Sequence, residues 1–201
     1  MTVWYLARVT GMVALIAFTL STALGAFSSA VLGGGSPPQL DRRFLLQMAH
    51  RSAAVTGLVM LLAHTALIVV DSFVDVSVSD ALVPFTAGYR PVAVGLGSLA
   101  VYSIICVAVS GALRGRLASS ERAVHRWRAV HLLAYAGWGM SMAHGVLAGT
   151  DTGQPWFTAI YVVCGIAVAI AVSIRIRSQL LHASRGLGTA RARIPAPEAL
   201  S

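Results

Sequence analysis

The chain has 201 residues, 57% of them hydrophobic and 11% charged, with a formal net charge of +8. A soluble domain of this size would carry charge on roughly a quarter of its residues, so the composition excludes an ordinary soluble globule. It implies an all-α integral membrane protein, because helices satisfy their own backbone polar groups in lipid.

Five apolar segments are long enough to cross about 30 Å of hydrocarbon; they run near residues 3–27, 44–70, 91–113, 128–148 and 156–175. The first, with Arg8 ahead of an apolar run and "STALGA" behind it, has the look of a signal peptide. Cleavage there would leave the following basic loop outside, so a retained helix is the expectation. The first connector holds "GGGSPP" and then Arg42 and Arg43; it lacks the Lys-Ser/Thr of a phosphate-binding loop and reads as a flexible link. The second segment carries His50 and His64. The loop after it is acidic, with Asp71, Asp75 and Asp80 against Arg90. Past the third segment lies a basic loop with Arg114, Arg116, Arg122, Arg126 and Arg128. The fourth segment, "AVHLLAYAGWGMSMAHG", carries His131 and His144, and Asp151 follows it. The tail holds Arg177, Arg185, Arg191 and Arg193. Residues 1–177 are expected to form the membrane bundle, and 178–201 a basic, disordered cytoplasmic tail.

All the cationic charge is arginine, and it collects at the ends of apolar segments. Such charge sets topology, so no nucleic-acid partner is expected. The alternation of basic and acidic loops places the N-terminus outside and the C-terminus in the cytoplasm, with Arg8 alone favouring the reverse. A multi-pass protein of the cell membrane, most simply a bacterial plasma membrane, follows; anionic lipid is a partner open to the basic tail. Cys106 and Cys164 each lie in an apolar segment and read as small core residues rather than a disulfide. No internal sequence repeat is legible, and no G-x-G-x-x-G opens a dinucleotide domain.

Imidazoles at membrane depth need partners. At about 1.5 Å rise per residue, His50 and His64 are about 21 Å apart along their helix, and His131 and His144 about 19.5 Å along theirs. His64 precedes Asp71 by the same seven residues that separate His144 from Asp151. Two levels result: His50 with His131 near the cytoplasm, and His64 with His144 near the outside. A flat iron macrocycle accepts one imidazole on each face, so each level can hold one haem. Arg51, Arg126 and Arg128 could meet haem propionates inside, and Arg8 and Arg90 outside; the inner arginines serve equally as plain topology charge. One difficulty is phase. On an ideal helix His50 and His64 share a face, whereas His131 and His144 stand about 140° apart, which asks for a bend at Gly137 or Gly139. His125 and His182 lie in the basic loop and tail and read as solvated. No C-x-x-C-H marks covalent haem attachment, and no nucleophile constellation is present.

His-x13-His on one helix with His-x12-His on a later one resembles the ferric reductase-like transmembrane domain. That family includes NADPH oxidases, ferric-chelate reductases and the haem-binding membrane subunit of periplasmic methionine-sulfoxide reductase. The stretch "AHRSAAVTGLVMLLAHTAL" resembles its first haem helix. "RWRAVHLLAYAGWGMSMAHG", with Trp127 and Arg128 ahead of His131, resembles its second. The resemblance implies that His50, His64, His131 and His144 are axial ligands of two b-type haems. It covers about residues 44–148. The flavin and nicotinamide domain of the oxidases has no counterpart here, and five spans stand in place of six. The expectation is therefore an electron-carrying subunit, a diheme b-type cytochrome. Its donor would be a separate flavoprotein reductase or membrane quinol, and its acceptor would lie outside. The alternatives are a ferric-chelate or oxygen reductase acting at the outer haem, and a haem-free small transporter or scaffold.

Overall fold

The structure, a computed structural model, describes residues 2–31, 37–72, 74–117 and 120–192. Among these there is no strand, and the helices are α1 (Thr2–Val31), α2 (Pro37–Val70), α3 (Val78–Leu82), α4 (Pro91–Ala112), α5 (Arg114–Leu117), α6 (Glu121–His131), α7 (Leu133–Ala148) and α8 (Pro155–Ala192). Four contain stretches long and apolar enough to cross a membrane: Thr2–Ser28, Pro38–Val70, Pro91–Ala112 and Pro155–Leu181.

The expected fourth span is not one continuous helix. It is divided at Leu132 between α6 and α7, and α7 alone has 16 residues, about 24 Å of helix. The expected count of five full-length spans is thus four long helices and one shorter one. At the other end, α8 continues as helix past residue 177 to Ala192; residues 193–201, the rest of the expected tail, lie outside the described residues, as does "GGGS" at 33–36.

Local chemistry sets several boundaries. Pro91 opens α4, where a missing N–H costs nothing, behind Arg90 in the left-handed region at φ 41°. Ser120 caps α6, accepting from the Ala123 N–H at 3.3 Å. In the acidic loop, Ser77 and Asp80 form a reciprocal capping box on the short α3. Ser98 on α4 donates to the Ala81 carbonyl at 2.8 Å, and Tyr102 to that of Leu82, so α3 is fastened to α4.

Two antiparallel helix pairs make the bundle: α1 packs along α2, and α4 along α7. α8 lies against α1, which also touches α7. The helix of His50 and His64, α2, has almost no close backbone approach to α6 or α7, which carry His131 and His144. What lies between the pairs at mid-height is a packed layer of Ala14, Phe18 and Ile104, with Leu58, Leu61 and Trp138 against it. Gly57 lies directly under the Phe18 ring, and Gly137 against Ser103 and Ile104. The Trp138 indole N–H donates to Thr19 Oγ1 at 2.9 Å, which satisfies both polar groups inside the layer.

Candidate functional site

All four candidate histidines meet in the expected pairs. The His50 and His131 rings have centroids 6.3 Å apart, tilted by 58°, and those of His64 and His144 are 6.2 Å apart at 77°. The irregularity between His131 and His144 lies at Leu132, not at a glycine. There the Tyr135 N–H bonds to the Leu132 carbonyl, three residues back. A tight turn of this kind advances about 20° more per residue than an α-helix, about 60° over its three residues. It closes part of the angular gap between His131 and His144. The expected bend at Gly137 or Gly139 is corrected accordingly: Gly137 is a packing site, and Gly139 has open space at its Cβ position.

Three of the four imidazoles are oriented in one way. The Nδ1 atom of His64 lies 2.8 Å from the Ala7 carbonyl, that of His50 2.8 Å from the Ser21 carbonyl, and that of His144 2.7 Å from the Ala93 carbonyl. A carbonyl only accepts, so each Nδ1 carries the proton and donates it, and each Nε2 keeps its lone pair. A metal-binding histidine is commonly fixed by such a bond from its other nitrogen.

Glycines make these bonds sterically possible. Four residues beyond Ala7, Ser21 and Ala93 stand Gly11, Gly25 and Gly97. A Cβ at Gly11 would lie 2.8 Å from His64 Nδ1, one at Gly25 3.2 Å from the His50 ring, and one at Gly97 2.8 Å from His144 Nδ1. The imidazole occupies the space a side chain would take and reaches the carbonyl beside it. These glycines were not singled out from the sequence. The signal was there: Gly11–Gly25 and Gly97–Gly111 have the same fourteen-residue step as His50–His64. A pair of a glycine helix and a histidine helix therefore occurs twice, a repeat of arrangement where no repeat of sequence was legible.

The fourth position departs from the pattern. Gly111 faces His131 with room to spare, 3.8 Å from its Cβ position to the ring. The corresponding carbonyl, Val107, takes the Ser110 hydroxyl at 2.8 Å. His131 Nδ1 is buried without a hydrogen-bond partner among the described residues. Its ring lies instead on the Trp127 indole, centroids 4.9 Å apart and 27° from parallel.

Among the expected arginines, Arg51 and Arg128 are exposed and make no hydrogen bond or ion pair with the described residues, and Arg126 is likewise exposed. Arg8 pairs with Asp151, which explains why a cation at that end of α1 does not contradict the acidic surroundings. Arg90 donates to the Leu147 carbonyl. Closer to the inner histidines are two cations passed over in the sequence. Arg114 lies over the Trp127 ring at 4.8 Å, and Arg175 donates to the Tyr135 hydroxyl at 2.9 Å. His125 is exposed on α6; the His182 side chain lies outside the described ones. Cys106 and Cys164 are free.

A cavity of about 360 Å³ surrounds the outer pair, with His64, His144, Gly11, Gly97, Arg8 and Asp151 in its wall. Among the described residues there is no cluster of three or more His, Cys, Asp or Glu side chains, so no site of tetrahedral type is present. Two opposed imidazoles are a different donor set. Two rings that bound one metal through facing nitrogens, with bonds of about 2.0–2.1 Å, would have centroids about 6.3 Å apart; the observed separations are 6.3 and 6.2 Å. No family model matches this chain, and neither a curated protein nor a solved structure does.

Proposed function

We propose that the protein is a diheme b-type membrane cytochrome that carries electrons between the two faces of a membrane. The observation that carries the reading is the pair of opposed imidazoles at each of two levels, with centroid separations of 6.3 and 6.2 Å. Two protein donors per level are too few for a bare metal site, and they are what a macrocycle with its own four in-plane nitrogens requires. The residues fit such a group: Nε2 is left free at His50, His64 and His144, and α2 stands apart from α6 and α7 at the histidines. When bound, haem supplies the one-electron chemistry; helices hold the imidazoles and tune it.

On this reading His50 and His131 hold the haem at the arginine-rich end, and His64 and His144 that at the acidic end. The arginine-rich end faces the cytoplasm, which puts the N-terminus outside and the C-terminus inside a cell membrane. Electrons enter the inner level from a flavoprotein or quinol and leave the outer level to an external acceptor. Arg114 and Arg175, rather than Arg51 and Arg128, are the cations best placed for inner propionates.

The test is a reduced-minus-oxidised spectrum of purified protein with a pyridine haemochrome count. Two low-spin b haems per chain, falling to one in His64→Ala, support the reading. Protein without haem, purified from a host that supplies it, sinks it.

A further inference from the structure

The four imidazoles are not held alike, and the difference falls on one residue. His50, His64 and His144 each donate Nδ1–H to a helix carbonyl. That bond fixes ring orientation and raises the basicity of the other nitrogen. His131 has no such bond, and its buried Nδ1 is unsatisfied among the described residues, a cost of about 1–3 kcal/mol that leaving the site would recover.

What keeps its ring in place is Trp127. The indole stacks on the imidazole and is itself anchored, its N–H donating to the Ser110 carbonyl at 3.1 Å. Arg114 lies over the same indole at 4.8 Å. So α4 holds His144 directly, through Ala93, and holds His131 through an intermediary. The helix hydrogen-bond ladder is also interrupted right after it, at Leu132. His131 is the last residue of α6, next to that interruption.

We infer that the His131 level is a ligand-exchange site, where the imidazole gives way to a small neutral ligand such as carbon monoxide, with Trp127 as the positioning residue that opposes the exchange. The step is a substitution: the His131 Nε2 bond to iron breaks as the incoming ligand forms its own, with no electron transferred. The outer level, both of whose imidazoles are pinned by carbonyls, refuses the same ligand. This rests on the cytochrome reading.

The experiment is carbon monoxide titration of the dithionite-reduced protein, followed in the Soret band beside a haem count. One equivalent bound per two haems is expected. Trp127→Leu, which removes a stacking contact of about 0.5–1.5 kcal/mol, should tighten that binding roughly threefold to tenfold at unchanged haem count. Trp127→Phe, which keeps a ring there, should stay within about twofold of wild type. Two haems that are both inert to carbon monoxide in wild type and in Trp127→Leu overturn the inference and leave the cytochrome reading intact. Uptake that Trp127→Leu does not change also overturns it, because the exchanging level is then not that of His131. A haem count of zero overturns both.

Discussion

Gly97 and Gly111 occupy equivalent places on α4, each opposite a histidine of the neighbouring helix, yet alanine should be tolerated at only one of them. At Gly97 a Cβ would lie 2.8 Å from His144 Nδ1, closer than such contacts allow. The imidazole must shift, and its bond to the Ala93 carbonyl is lost. Gly97→Ala is therefore expected to cost about 1–3 kcal/mol, the penalty of an unsatisfied buried donor, and, on the cytochrome reading, to weaken haem retention at the His64–His144 level. At Gly111 the nearest ring atom is 3.8 Å away, an ordinary contact, and alanine should gain up to about 1 kcal/mol of helix propensity. Unfolding titrations of the two variants in detergent, beside their haem counts, read the difference; equal losses at both positions would refute the role given to these glycines. Arg8 poses a similar single-residue question. It joins the start of α1 to the α7–α8 connection through Asp151. Asp151→Asn keeps the shape and removes the charge, so a loss of up to about 1.5–3 kcal/mol, the range for a hydrogen bond to a charged group, should appear in the same titration.

At the scale of helices, the apolar segments and the two histidine levels were legible because rise per residue is nearly invariant. His50 to His64 and His131 to His144 had to span similar heights whatever the packing. Angular position is less forgiving. The thirteen-residue step from His131 to His144 looked out of phase, and Gly137 and Gly139 seemed the natural place for a correction. Yet "HLLAY" around Leu132 carries no proline or glycine to announce the interruption found there. The glycines beside the imidazoles escape a sequence reading for a related reason. In a membrane helix a glycine reads as a bend or as generic close packing, and the role of Gly11, Gly25 and Gly97 is defined only by an imidazole on another helix. Helix α3, by contrast, is governed locally. Hydrogen bonds from the Ser77 hydroxyl and backbone N–H, and then from Thr86, hold the Asp80 carboxyl below its ordinary value. A depressed carboxylate stabilises the fold at pH above the ordinary value and ceases to do so as pH falls through the depressed one. The protection factor for amide exchange over Val78–Leu82, the observed rate corrected for its intrinsic pH dependence, should thus be highest at neutral pH and fall as acid passes through the lower carboxylate range. Asp80→Asn should show the lower protection at neutral pH, with the difference from wild type closing in acid.

Three of the long helices share a period of seven. On α1, Gly11, Phe18 and Gly25 stand seven residues apart; on α2, His64, Gly57 and His50; on α4, Gly97, Ile104 and Gly111. Two turns of helix separate each histidine level from the middle layer, about 10 Å, so this layer is the common floor of both. Its centre is Phe18, buried to 9% exposure and seated on Gly57. In lipid the transfer of apolar surface from water contributes little, and packing carries the stability. Phe18→Ala removes about 100 Å³ of ring; at about 24 cal/mol per Å³ of unrelaxed cavity the loss is about 2 kcal/mol. A lesion in the shared floor should reach both levels. If the protein holds the two haems proposed above, their loss on mild heating is expected to rise together at both levels in Phe18→Ala, whereas Gly97→Ala releases only the one at His64 and His144. If Phe18→Ala instead loosened a single level, the two would be independent compartments, and the seven-residue layering would have no mechanical meaning.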